Sequence, residues 1–243
     1  MSSLNLPNTS KFIKTIGQGT FGRVHLIHDE RFPNQLLALK VIDIHGENSR
    51  RKVNKEIEIH GQLKHPNIVR LFYSEQISTN AYLYLEPAMN GSLNHHLKTK
   101  QLGIVKSKAL KYFQHLITAL IHLHGLGFVH RDIRPSNLVI DKNDCLKLID
   151  FGLAIIYKYH DEKLMLQIAC GTESYRAPET FDFISPNIVK PHEGVPLDVW
   201  SSGIVLVEML TGRLPWNSVK TNEFNAYKRY VEGDSLDLNF GQN

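Results

Sequence analysis

The stretch that decides the fold is IGQGTFGRVHLIH, residues 16–28. Its glycines, Gly17, Gly19 and Gly22, let a backbone approach phosphate oxygens closely and adopt angles that side chains forbid. The residues after the last glycine choose between folds. A dinucleotide-binding unit needs a helix directly there, but RVHLIH alternates as a strand does. A Walker loop needs Gly-Lys-Ser/Thr, which is missing. Two readings are left: a glycine loop folded over phosphates between two strands, or an ordinary hairpin turn.

Outward from this stretch the same texture continues. FIKTIG, LLALKVID, IVRLFYS and AYLYLEP each read as a strand, with polar breaks between them. One segment interrupts them, RRKVNKEIEIHGQLKH, which sets Val53, Ile57 and Leu63 near one helical face and ends at His65-Pro66. After Pro87 the chain turns helical. KSKALKYFQHLITALIHLHGLG places Ala109, Phe113, Leu116, Leu120 and Leu123 at three- and four-residue spacings, and LDVWSSGIVLVEMLTG reads as a buried helix stopped by Gly212. Between them lie strand-like NLVID and CLKLID and an irregular stretch from Phe151 to about Val195. The expected organisation is a strand-rich lobe over 12–86, a hinge at 87–91 and a helix-rich lobe over 92–243.

Bulk numbers exclude some classes. A 42% hydrophobic share in 243 residues is enough to bury a core, and a net charge of +4 is too small to argue for nucleic acid. Two cysteines make no disulfide framework and favour a reducing compartment. The N-terminus has no signal-like apolar run, and GIVLVEML is short and broken by Glu208, so a soluble intracellular protein without membrane contact is expected. The thirteen histidines show no zinc spacing, and His95-His96 reads as a surface pair.

The chemistry-bearing residues are scattered along the chain. Lys40 in LALK is a strand lysine, and Glu56, sixteen residues on, can hold its ammonium toward phosphate. HRDIRPSN, residues 130–137, sets Asp132, Arg134 and Asn137 within six residues, and LIDFG adds Asp150. Phosphoryl transfer needs a base near the acceptor hydroxyl and hard oxygen ligands for magnesium. Asp132 can serve as the base, and Asn137 with Asp150 can serve as the ligands.

With APE at residues 177–179, these motifs in this order resemble the eukaryotic protein kinases over nearly the whole chain. CGTESYRAPE is similar to the serine/threonine branch. YLYLEPAMNGSL, LKLIDFGLA and DVWSSGIVL resemble the checkpoint kinases of the DNA-damage response more closely. The resemblance implies an α+β, bilobal fold with one helix in the small lobe, nuclear or cytoplasmic location, ATP and Mg²⁺ as cofactors, and protein Ser/Thr hydroxyls as acceptors. It further implies a monomer without direct nucleic-acid contact. It puts adenine between Ile16, Val24, Ala38 and Val139, with backbone of Glu86 and Ala88 at its edge and Leu85 before a deeper pocket. His130 and Phe151 are expected to stack in the core, and Asp198 to hold the catalytic-loop backbone.

Several positions depart from that pattern. Arg134 stands where the branch carries a lysine that touches the transferred phosphate, and weakened positioning is expected from a planar fork there. Ser92 and Ser136 replace carboxylates that checkpoint kinases present to a substrate arginine, so a weak preference for basic peptides is expected. Leu153–Ala169 holds no serine or threonine, so Arg131 is expected to find Asp161 or Glu162 or to stay without an acid, in a loop that needs no phosphorylation. The helical lobe is expected to be shortened, with one further helix near EFNAYKRYV. Glu179 of APE is then expected to lack an arginine, at a cost of ~3–5 kcal/mol if buried.

Overall fold

The computed structural model describes residues 6–19, 22–99, 103–160, 162–216 and 233. The first half is a five-stranded antiparallel sheet in the order β1-β2-β3-β5-β4. Its strands are β1 (Ser10–Gly19), β2 (Gly22–Asp29), β3 (Leu37–Asp43), β4 (Leu71–Ile77) and β5 (Asn80–Leu85), with α1 (Gly46–Gln62) between β3 and β4. Alternation explains the layers. Leu37 and Leu39 of β3 pack with Ile27, Tyr82 and Tyr84 on the outer face. Ala38 and Ile42 pack with Val53, Val69, Ala81, Leu83 and Leu85 on the face turned toward α1.

Gly22 has φ +139, and a Cβ there would stand 1.9 Å from the Val41 carbonyl oxygen. This glycine is therefore demanded by the neighbouring strand, apart from any phosphate. A strand, not a helix, comes after it, which removes the dinucleotide-binding alternative.

The second half is mainly helical. α2 (Leu93–Lys98), capped by Ser92, escaped the sequence reading because six residues carry too little periodicity. α3 (Lys106–Gly125) buries Ala109, Leu116, Leu120 and Leu123 as expected, while Phe113 is only partly covered. β6 (Phe128–Val129), β7 (Leu138–Ile140), β8 (Leu146–Leu148) and β9 (Ile155–Ile156) are short, with β7 paired to β8 and β6 to β9. α4 (Gly194–Thr211) ends at Gly212, whose φ of 72 is left-handed. It is long and apolar enough to cross a membrane, contrary to the reading of its sequence. Yet Leu197, Asp198, Ser202, Val205 and Met209 are buried in the protein, and Asp198 binds the loop before β7. These contacts make it a core helix.

The stretch read as irregular contains further strands. β10 (Lys158–Tyr159) pairs with β11 (Glu162–Lys163). β12 (Leu166–Ile168) joins β13 (Phe183–Ser185) and β14 (Ile188–His192) in a sheet of order β12-β14-β13. The insertion DFISPNIVKPHEG is thus a hairpin paired to the segment that precedes Gly171-Thr172. Asp161 and the segment EFNAYKRYV lie outside the described residues.

Candidate active site

A cleft of about 570 Å³ separates the sheet from the helical half, and most of the sequence-predicted residues line it. Ile16, Gly17, Gly22, Val24, Ala38, Lys40, Glu56 and Leu85 come from the sheet and α1, and Glu86 and Ala88 from the connection. Asp132, Arg134, Asn137, Val139 and Asp150 come from below. Gly19 pairs with Gly22 at the end of the hairpin.

The ionic centre is assembled across elements. Lys40 Nζ lies 2.7 Å from Glu56 Oε1 and 3.2 Å from Asp150 Oδ1. Burial works against the ammonium, but the charges of Glu56 and Asp150 outweigh it, so the Lys40 pKa is raised. Glu56 is buried on α1, so the helix carries a charge inward that its polar sequence would place in solvent. Two non-glycine residues here are left-handed, Arg131 at φ 68 and Asp150 at φ 69. Such geometry costs ~1–3 kcal/mol and persists where surroundings over-determine it.

Asp198 supplies part of that determination. Its Oδ2 accepts the His130 N–H and its Oδ1 the Arg131 N–H, both at 2.8 Å. His124 Nε2 is 2.8 Å from Oδ2, a third contact that no motif in the chain announces. His130 donates from Nε2 to the Ile149 carbonyl and accepts the Asp132 N–H at Nδ1, so its partners fix the tautomer. His130 meets Phe151 edge-on at 5.2 Å, and Phe151 in turn meets His60 of α1 at 4.7 Å. Burial pushes the His60 pKa down to about 4, opposed by its bond to the Val69 carbonyl and assisted by the charge of Lys40. His60 was missed from sequence because a histidine on an apolar face carries no motif.

Asp132 is held from two sides. Thr172 donates its N–H (3.0 Å) and its hydroxyl (2.8 Å) to Oδ1. Asn137 Nδ2 donates to Oδ2 and to the Asp132 carbonyl, both at 2.9 Å. A carboxylate has about four lone-pair sites, so one on Oδ2 is left without a protein donor among the described residues. Arg134 donates from Nη1 to Thr172 Oγ1 (2.7 Å) and from Nε to Ser136 Oγ (2.5 Å). The role of Thr172 could have been suspected only from its place after Cys170-Gly171.

The residues also fit a divalent cation. Among the described residues no three His, Cys, Asp or Glu side chains cluster as a metal site. That suits Mg²⁺, which takes one or two protein oxygens and completes its shell with phosphate and water. With Nδ2 of Asn137 committed to Asp132, its amide oxygen is the atom left to serve, beside the second oxygen of Asp150. At the cleft's edge Glu86 donates its N–H to the Arg70 carbonyl and turns its carboxylate to Lys147.

Two charge relations singled out in the sequence involve Arg131 and Glu179, and Asp161, one acid considered for Arg131, lies outside the described residues. Arg131 donates from Nε to the Leu153 carbonyl, and Glu162 lies exposed on β11. Glu179 has no ion pair among the described residues but is only partly buried, so the penalty of a fully buried lone charge does not apply.

The sequence matches the protein kinase domain family over residues 10–235. It is 34% identical over 232 residues to serine/threonine-protein kinase chk-1 of Caenorhabditis briggsae, covering 94% of this chain and 45% of that protein. Against serine/threonine-protein kinase grp of Drosophila melanogaster it is 33% identical over 218 residues, covering 88% and 41%. Against CBL-interacting protein kinase 28 of Oryza sativa subsp. japonica it is 33% identical over 224 residues, covering 91% and 49%. The chain spans less than half the length of each of these relatives, and the plant kinase is as similar as the fly one. A match over nearly all its length, joined to the cleft geometry above, means that this chain belongs to the protein kinase family.

Proposed function

We propose that the chain is a serine/threonine protein kinase that moves the terminal phosphoryl group of ATP to a protein hydroxyl with Mg²⁺. The observation that carries this reading is the convergence of Lys40, Glu56 and Asp150 within 3.2 Å contacts, in the same cleft as Asp132. Lys40, fixed by Glu56, would hold the nucleotide's phosphates. Asp132 would orient the acceptor hydroxyl and take its proton at Oδ2. Arg134, which no protein group meets at Nη2 among the described residues, would face the transferred phosphate. Asn137 and Asp150 would hold the metal, which when bound neutralises phosphate charge as the bond to the leaving group lengthens. The adenine would lie between Val24, Ala38 and Val139, against the Glu86 carbonyl and Ala88.

Phosphate transfer to a protein substrate by the purified chain beside Asp132→Asn tests this. A fall of about 10²–10⁴-fold in the variant is expected from loss of a positioned base. Nucleotide binding without turnover in either protein would instead leave a binding module. Likeness to chk-1 and grp supports a checkpoint role for the full protein. Normal arrest after DNA damage in cells lacking it would end that part. Ser92 and Ser136 offer no carboxylate to a substrate arginine, so a peptide array is expected to show little upstream preference for arginine.

A further inference from the structure

We propose that Ser136 is a positioning residue for phosphoryl transfer, acting through Arg134; the inference rests on the kinase reading and refines it. A lone guanidinium on a flexible stem swings about any single hydrogen bond. Arg134 makes two, one from Nε to Ser136 Oγ and one from Nη1 to Thr172 Oγ1. Two bonds from different nitrogens of one rigid plane fix both its tilt and its rotation. Thr172 passes its own hydroxyl proton toward Asp132 Oδ1 at 2.8 Å. The result is a continuous chain, Ser136 to Arg134 to Thr172 to Asp132, in which each link pairs one donor with one acceptor.

This answers why an arginine stands at 134 beside a serine at 136. A lysine has no N–H partway along its stem, so it could reach Thr172 but would leave Ser136 without a use. A carboxylate at 136 would draw the guanidinium into an ion pair and away from the phosphate. Arginine and serine therefore belong together, and the positioning expected to be weakened by a planar fork is restored by the brace. Arg134 and Ser136 both line the cleft, so the braced cation faces the place of reaction.

The experiment compares kcat and KM for Ser136→Ala, Ser136→Thr, Arg134→Lys and the double variant Arg134→Lys/Ser136→Ala. Ser136→Ala is expected to lower kcat about tenfold, the effect of one hydrogen bond to a charged group, with KM for ATP unchanged. Ser136→Thr keeps the hydroxyl and should keep the rate. In the Arg134→Lys background the serine change should alter kcat less than about twofold, because no Nε–H remains to be held. A loss of equal size in both backgrounds, or none in either, overturns the brace. A second readout stands apart from turnover: proton exchange at the Arg134 Nε–H, followed by ¹⁵N NMR. It should be slow in the parent and in Ser136→Thr and fast in Ser136→Ala. Equal exchange in all three overturns the brace, whereas the expected exchange pattern in a protein without turnover keeps the brace and rejects the kinase reading.

Discussion

The two largest sheets among the described residues are held in place by different means. Under the proposed function the five-stranded one would stand on the nucleotide side, and the β12-β14-β13 one, next to Gly171-Thr172, on the acceptor side. The five-stranded sheet on the nucleotide side is covered on both faces, by Leu37, Leu39, Tyr82 and Tyr84 on one and by Ala38, Ile42 and Leu83 on the other. The β12-β14-β13 sheet on the acceptor side leaves Ile168 62%, Ile184 62% and Phe183 52% exposed. It is anchored by a few buried groups, namely Leu166, Val189 and His192, and by Gly194 packed tightly on Val129. One sheet is a folding core, while the other is an attachment. The difference teaches where substitutions should unfold the protein and where they should only loosen the acceptor wall.

The sharpest way to break that contrast is Gly22→Ala. Its Cβ would meet the Val41 carbonyl at 1.9 Å, on a backbone with φ +139. Strain and clash together should cost ~3 kcal/mol or more. In a chain of this size that lowers Tm by about 6–12 °C, measured by thermal unfolding. An unchanged Tm would mean that the sheet yields easily and is no core.

His60 tests the same region by pH. An unfolded chain protonates this residue below 6.5, but the folded chain does so only near 4, chiefly because it is buried. Stability is therefore full above pH 6.5 and is lost as pH falls toward 4, by about 3 kcal/mol. His60→Leu should remove most of that acid sensitivity in denaturant melts run at pH 7 and pH 4.5. If both proteins lose stability equally on acidification, the burial of His60 is not what makes the lobes acid-labile.

These two residues also mark how far the sequence could be read. The strands of the first sheet were legible because alternation is a local signal, and Lys40, Glu56, Asp132, Asn137 and Asp150, which line one cleft, could be singled out because the proposed chemistry would demand those residue types in that order. What was not legible depends on partners distant in the chain. Nothing local says that Gly22 touches Val41, that His60 meets Phe151, or that Ser136 Oγ accepts from Arg134 Nε. The hairpin β13–β14 is an intermediate case. Its turn carries Pro186-Asn187 with Asn187 at φ 64, the order a type II turn asks for. That signal was present, but strands of three and five residues with exposed apolar side chains gave no alternation to support it.

On the acceptor side, Val189→Ala should loosen the attachment alone. Val189 is fully buried beneath an exposed sheet, and Ala169 N–H reaches the Asn187 carbonyl at a long 3.3 Å. Local opening there should cost less than global unfolding. Amides of residues 166–169 are expected to exchange with deuterium about tenfold faster in the variant, with those of β3 and β5 unchanged. Equal acceleration in both sheets would show one cooperative unit and erase the distinction.

The smallest effect is expected at Glu208, which ties α4 to the acceptor loop by accepting the Tyr175 hydroxyl at 2.7 Å. Burial pushes its pKa up from 4.5, and the bond from Tyr175 only partly opposes this. Folding thus favours the protonated acid, so the contribution of Glu208 is complete below 4.5 and is lost as pH rises through the higher folded value. Glu208→Gln keeps an acceptor for Tyr175 and removes the charge. It should raise Tm at pH 7 by no more than about 4 °C, with the gain vanishing near pH 4. A lower Tm at pH 7 would instead mean that the charge itself grips Tyr175. The acceptor wall would then be fastened to the core by an ionised anchor as strong as those of the nucleotide side, and the contrast between the two sheets would narrow to their surfaces.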